Sequence, residues 1–377
     1  MACPTGGCAD QTVAHDAAVR SPGRGCRSAD NLACGAACAR GTGGAVATTE
    51  AEPGRPQPCA APSPRSALDA GCALHRQRAN AAAPTVTVVV PFFEVSRAPL
   101  DRLLHALDQQ DYPADLVRIV LVDNNEARVG FLPRPGCASV TLVHAPEPIG
   151  SYAARNAGLG LAHSDLVLFT DADCLPHPQW ISEMVRALVG SPCCVVAGGS
   201  ISVTSRDPHR PHVVEDFDRR MHLRQGDYLS RGFAATANLG TCSAVFAHVG
   251  SFAAGLLSGG DEEWCERTRA AGVPVIPVTS ALVRHPARRT LSSVVTKNRR
   301  GCGSPFQKWA RAPGPTVAAC FGAELLRVRS RWRRLWVDRH PTRPARWCGL
   351  VALFVLVEIV RLAECARLAA GGTPERR

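Results

Sequence analysis

"LVLFTDADCLPHPQW", Leu166 to Trp180, sets an apolar run directly against two carboxylates, Asp171 and Asp173, one residue apart. A short apolar run closed by a turn signal reads as a strand buried on both faces. Two acids at its end need a reason, because carboxylates held close without a partner repel each other and lose solvation. If the extension persists, both point to one side at roughly 7 Å spacing. A divalent cation would satisfy them, and oxygen ligation suits Mg²⁺ or Mn²⁺, which also bridge phosphate oxygens. Taken alone, the motif also fits a solvated turn in which an Asp caps the segment before PHPQW.

Working outward, the first half alternates strand and helix. The β-branched run PTVTVVVPFFE begins at Pro84, helical spacing follows in LDRLLHALDQQ, then strands in LVRIVLVDNN and SVTLVHA, and a helix in SYAARNAGLGLAH that leads into DLVLF. Short alternation of this kind specifies an α/β fold built from βαβ units on a parallel sheet covered by helices on both faces. Ligands of such sheets sit beyond the carboxyl ends of the strands. Pro91 to Glu94, Asp123-Asn124 and Asp171 to Asp173 fall there. From Cys194 onward the pattern is less regular, which divides residues 84–303 into a regularly alternating half, 84–193, and a less regular half, 194–303. No 20 to 50 residue repeat and no paired CxxC that would signal a zinc site is visible.

Residues 1–83, rich in Ala, Gly, Pro, Ser and Cys, carry no sustained apolar period and read as a disordered tail. They lack a basic start followed by an apolar core, so no secretory signal is expected, and translation from a later start is an alternative. The net charge of +11 is local: residues 284–346 hold 16 Lys and Arg against two acids, Glu324 and Asp338. This basic segment precedes WCGLVALFVLVEIV, so anionic lipid head groups are a more economical partner than nucleic acid. The apolar run from Cys348 to Val360 is 13 residues long, short of the about 20 that a spanning helix needs. Charges at Glu358, Arg361 and Glu364 recur at a spacing of three and give the helix one polar stripe. A helix lying in the interface, one that crosses, and one packed on the domain all remain open. Residues 304–377 are thus expected to form a basic segment and a membrane-associated helix, and the protein to sit at the cytoplasmic face of a membrane.

Several residues carry candidate chemistry. Asp123 ends a strand where a carboxylate can accept hydrogen bonds from a base or ribose. GSYAARNAG puts Ser151 at a helix N-cap with Arg155 and Asn156 about one turn in, where cation and amide reach a phosphate. In SGGDEEWCERTRAAG, an acid at the mouth of a helix serves as general base while the others complement the dipole. His285 follows a short strand next to Pro286 and offers a nitrogen ligand.

This ordered set, VVVPFFE, VLVDNN, GSYAARN, FTDADCLP, TANLG, GGDEEWCERTR and VRHPARR, resembles the family 2 glycosyltransferases over about Thr85 to Gly303. The resemblance implies a GT-A fold, a Rossmann-like, mostly parallel sheet flanked by helices, that moves a sugar from a UDP-, GDP- or dTDP-sugar. It implies that Pro91, Glu94, Asp123, Arg155, Asn156 and Asp171 line the nucleotide-sugar site, that Asp173 with His285 holds a divalent cation, and that Asp261 is the catalytic base. Asn238, Glu262, Glu263, Trp264 and Arg267 would support the acceptor side. Three positions depart from the family pattern: Glu94 stands for its usual Asn, Asn124 for a frequent second Asp, and Gly260 for the first acid of a Glu-Asp pair. The expected reaction is inverting transfer to the hydroxyl of a glycan or lipid-linked acceptor in envelope or cell-surface glycan synthesis. Two rivals are a nucleic-acid or membrane-surface binding protein using the basic segment, and a phosphotransferase with Asp171 as nucleophile.

Overall fold

The computed structural model describes residues 82–129, 138–309, 317–338 and 343–374, so the expected tail lies almost entirely outside the described residues. Four strands form the first half of one eight-stranded sheet: β1 (Val86–Phe92), β2 (Val117–Asp123), β3 (Ser139–His144) and β4 (Leu166–Thr170). They run parallel in the order β3-β2-β1-β4. Every residue of β1 and β4 is buried, as a sheet covered on both faces requires. Two helices frame this half, α1 (Arg97–Asp108) and α2 (Ser151–Leu159). Gly158 of α2 lies so close to β1 that a Cβ there would come within 2.5 Å of Val89. Only glycine allows that approach.

The second half keeps the sheet mostly parallel, as expected, but brings in two reversed strands. After β5 (Leu175–Pro176) and α3 (Trp180–Gly190), strands β6 (Val196–Thr204), β7 (Asn238–Cys242) and β8 (Val275–Pro286) extend the order to β4-β7-β6-β8-β5. β7 is antiparallel to both β4 and β6, β8 is parallel to β6, and β5 is antiparallel to β8. Hydrophobic pattern reports a strand but not its direction. Here β7 enters beside Thr170, opposite Asn238, and so runs away from the carboxyl end of β4. β8 runs unbroken over 12 residues, its register against β6 shifting between Gly199 and Ser200.

Asn238 shows what holds this half together. It is fully buried, accepts from Trp180 Nε1 at 2.8 Å and donates to the carbonyls of Ser200 and Ala281 at 2.8 and 2.9 Å. One amide thereby ties β7 to α3, β6 and β8. No group of it is left for an acceptor, so its expected place on the acceptor side is corrected to a purely structural one.

The C-terminal residues are not an appendage beyond Gly303. Helix α8 (Leu291–Trp309) runs through that boundary, and α9 (Val317–Val337) and α10 (Pro344–Ala369) pack with α4 (Val213–Met221) around a second core of Val214, Phe217, Val294, Leu335, Leu350 and Phe354. The polar stripe of α10 faces inward: Glu358 pairs with Arg331, Arg361 with Glu324, and Glu364 with Arg299. Val355, Leu356 and Ile359 are exposed instead. Among the described residues no helix is long and apolar enough to cross a membrane.

Acids from outside the basic segment meet many of its cations. Glu215, Asp216 and Asp218 of α4 are buried, and pair with Arg289, Arg346 and Arg288. The charge excess read along the chain is therefore partly internal, because α4, some 70 to 130 residues earlier, folds against it. Asp218 also bonds His222 Nδ1 at 2.7 Å. Burial, opposed by Asp218, pushes the His222 imidazole down to about 4, while His222 and Arg288 hold Asp218 below the usual carboxylate range against its burial. The unfolded chain therefore binds more protons than the folded one as pH falls from about 6.5 to 4, so stability drops across that window. Asp218 extends the loss below about 4. Urea midpoints should fall from pH 7 to 4.5, with a His222 share on the order of 1–3 kcal/mol, and His222→Gln should flatten the dependence there.

Candidate active site

β4 does not stay extended through the two acids. It ends at Thr170, and the Cys174 N–H donates to the Asp171 carbonyl at 3.0 Å, closing a turn that replaces the expected flat strand end. The chain then pairs Leu175 with Arg284 of β8, which sets Asp173 beside His285, with Oδ1 3.6 Å from Nε2. His285 is buried, and its Nδ1 lies 2.9 Å from the Pro286 carbonyl. A carbonyl only accepts, so Nδ1 carries the proton and Nε2 keeps a free lone pair on the acidic side. Ligand atoms of Asp171, Cys174 and His285 lie within 4.8 Å of one another.

Cys174 escaped the sequence reading, although its place at the close of the DADC turn was the available signal. Burial first, then Asp171 and Asp173, push its thiol well above the ordinary value. The oxygen and nitrogen donors that fit a cation are the Asp171 carboxylate and the His285 imidazole, with the Asp173 carboxylate 3.6 Å from Nε2. That set suits a divalent ion such as Mn²⁺ or Mg²⁺.

The opposite wall is built on α7 (Gly260–Ala270), which places Asp261 in its first turn. Tyr152 Oη donates to Asp261 Oδ1 at 3.1 Å and the Glu262 N–H to the same oxygen at 3.0 Å. Oδ2 carries no hydrogen bond among the described residues. Burial and the Asp261 charge push the Tyr152 hydroxyl far above its ordinary value, so it remains a donor. Tyr152 is a second residue that the sequence reading missed, since its partner lies 109 positions away. It also explains the departure at Gly260, where a Cβ would come 2.8 Å from the Tyr152 ring.

The other residues of this helix divide by contact. Glu262 pairs with Arg231 at the cavity. Glu263 pairs with Arg267 at 2.7 Å, and Arg267 reaches the carbonyls of Val249 and Ser251. Trp264, fully buried, stacks on Phe246 with centroids 4.6 Å apart and donates to the Gly250 carbonyl. Glu263, Trp264 and Arg267 therefore hold the helix in place and do not line the cavity that Glu262 borders.

At the donor end, Arg155 is buried and its Nη2 lies 2.6 Å from Asp171 Oδ1, so the guanidinium expected to meet a phosphate is paired with the acidic turn. Its Nε has no partner. Ser151 is the first helical residue and not the cap, which is Gly150. Asn156 bonds the Phe252 backbone in both directions, at 2.8 and 3.0 Å, which ties α2 to the loop at Phe252. Asp123 is likewise spent locally: it accepts from Asn125 backbone and side chain and from the Val129 N–H, fastening the loop after β2. Asn124 ties that loop to the Ala145 and Pro148 carbonyls and to the Gly150 N–H. Pro91 is buried in β1, and Glu94 is exposed at φ 50° with its N–H on Asn125 Oδ1. A cavity of about 690 Å³ joins the two walls, lined among others by Ser151, Arg155, Asp171, Asp261, Glu262 and His285.

Residues 87–250 match the profile of Glycosyl transferase family 2. Over those residues, less than half of the chain, the sequence is similar to that family. The chain is 29% identical over 231 residues to Glycosyltransferase AglE of Haloferax volcanii, covering 60% of this chain and 74% of that protein. It is 25% identical to a pre-mycofactocin glycosyltransferase of Mycobacterium tuberculosis over 67% of this chain. The chain spans about half the length of that relative, 53%. Among solved structures, the mannosyltransferase PcManGT of Pyrobaculum calidifontis, a complex with GDP-Man and Mn²⁺, matches at 16% identity with a TM-score of 0.46. That match covers 81% of this chain and 96% of PcManGT.

The contact at Gly260 is open to a direct check. Gly260→Glu should destabilise the protein by about 1–3 kcal/mol through overpacking against Tyr152. Adding Tyr152→Ala should recover part of that loss relative to Tyr152→Ala alone, read as a non-additive melting shift.

Proposed function

We propose that this protein transfers a sugar, with inversion, from a nucleotide-sugar donor to an acceptor hydroxyl. The observation that carries the reading is the meeting, in one cavity, of the Asp171 and His285 wall with Asp261, whose free Oδ2 faces no protein donor. The cavity volume suits a nucleotide-sugar. Asp171, Asp173 and Nε2 of His285 would hold the divalent cation, which when bound neutralises charge on the diphosphate.

The protein's own groups supply the rest. Tyr152 and the Glu262 N–H hold Asp261 by donating to Oδ1. Oδ2 accepts the proton of the acceptor hydroxyl. The hydroxyl oxygen bonds to the anomeric carbon from the face opposite the diphosphate, and the carbon–oxygen bond to the diphosphate breaks with its electron pair leaving on phosphate. This one-displacement course inverts the anomeric centre, as a water activated by a carboxylate does in inverting hydrolysis. Arg155 steadies Asp171 at the donor end.

The acceptor is proposed to be a glycan or lipid-linked hydroxyl of the envelope or cell surface, handled at the cytoplasmic face of a membrane. The exposed Val355, Leu356 and Ile359 of α10 and the exposed Arg329, Arg333 and Arg343 nearby in sequence support a membrane surface. Extensive internal pairing of the basic segment gives nucleic acid less to bind.

A panel of UDP-, GDP- and dTDP-sugars with Mn²⁺ or Mg²⁺ should reveal one donor that raises the melting temperature and is turned over. Asp261→Asn should abolish transfer, a loss of about 10³-fold or more, while nucleotide binding survives. Near-normal turnover of that variant would remove Asp261 as the base. His285→Ala should raise the metal concentration needed for half-maximal thermal shift by about tenfold or more.

A further inference from the structure

Most cations lining the cavity already have an anion. Arg155 is held by Asp171, Arg231 by Glu262, Arg331 by Glu324 and Glu358, Arg361 by Glu324, and Arg334 by Asp227. Two do not. Lys297 and Arg300 line the same cavity, are partly buried, and carry no hydrogen bond or ion pair among the described residues. They stand three residues apart on α8, which puts both on one face of the helix. Arg288 lies close enough to act on both, and its own contact with Asp218 is long at 3.4 Å.

Unpaired cations in a partly desolvated wall are unfavourable in the empty protein. Burial and then Arg288 push the Lys297 ammonium down to about 7, and the same two causes lower Arg300. Asp171 pulls the other way on both, so this wall lies within electrostatic reach of the acidic turn. A group with at least two negative charges would neutralise the pair, where a single carboxylate would leave one cation over. Arginine offers paired donors to two oxygens and lysine a compact charge, a combination that fits a phosphoryl group.

We infer that the α8 wall is a phosphoryl subsite, in which Lys297 and Arg300, with Arg288 beside them, bind a phosphate monoester or diphosphate of a substrate. It is separate from the Asp171, Asp173 and His285 set. The transferase reading bears only on which substrate delivers the phosphoryl group, the nucleotide donor or a phosphate-bearing acceptor.

Inorganic pyrophosphate, titrated calorimetrically into the full chain with a chelator present, probes the subsite without turnover. The wild type should bind, and Lys297→Gln with Arg300→Gln together should weaken binding by about tenfold or more. Lys297→Arg should retain it, and Arg186→Gln, an exposed charge on α3, should change nothing. If the double variant loses its circular dichroism signal, each single Gln variant should still weaken binding. Unchanged affinity in the folded Gln variants, or no pyrophosphate binding by the wild type, overturns the subsite. A matching loss of metal-free nucleoside diphosphate affinity assigns the phosphoryl group to the donor. A raised KM for a phosphate-bearing acceptor with that affinity intact assigns it to the acceptor. If no donor is turned over but pyrophosphate binding still depends on Lys297 and Arg300, the transferase reading falls and the subsite stands.

Discussion

The buried guanidinium of Arg155, set against Asp171 at the end of the central strand, is the contact on which the site's geometry depends. Arg155 is 4% exposed, and an unpaired cation at that depth would be costly. Its Nη2 fixes Asp171, and its Cζ sits 5.6 Å from the centre of the Tyr152 ring. Tyr152 in turn holds Asp261. A single line of contacts, Asp171 to Arg155 to Tyr152 to Asp261, thus joins the acidic turn to the Asp261 carboxylate through one helix. Because Tyr152 and Arg155 lie three residues apart on α2, the spacing between the two walls is set by helix geometry and not by loop positions.

The rest of the fold serves that line. Gly158 lets α2 sink onto β1, and Asn238 locks β7, β6 and β8 so that the end of β8 meets the turn after β4. The aromatic group of Phe246, Phe252 and Trp264 anchors α7 from beneath, with Arg267 clamping the preceding loop. Polar residues that look catalytic in the sequence, such as Asn156, Glu263 and Asn238, are consumed by this framing. The Asn156 and Asn238 amides satisfy backbone groups that burial would otherwise leave unpaired, and Glu263 pairs with Arg267.

Charge follows the same logic at the C-terminal end. The Arg-rich stretch is neutralised in part by acids of α4 and by the inward stripe of α10, so a linear count overstates the charge it shows to solvent. What remains unpaired in the cavity is small and local, at Lys297 and Arg300. Paired charges fix how the helices sit, and unpaired ones leave a field inside the cavity.

Much of the fold was legible in residue order. The β-branched and apolar runs determined the parallel strands β1 to β4 and set acids at their carboxyl ends, because strand period and strand-end position are local properties. The motif series, ending in GGDEEWCERTR and VRHPARR, named Asp171, Asp261 and His285, which the fold brings to one cavity. Direction and partnership were not legible. That β7 runs antiparallel, that α10 turns its charges inward, that Tyr152 replaces an acid at position 260 as the companion of Asp261, and that Asp123 and Asn156 are spent on backbone are all contacts between residues distant in sequence. Such contacts depend on which surfaces meet once the core has closed. Only the tertiary structure decides them, because a side chain's polarity is written in the sequence while the group that satisfies it is chosen by packing.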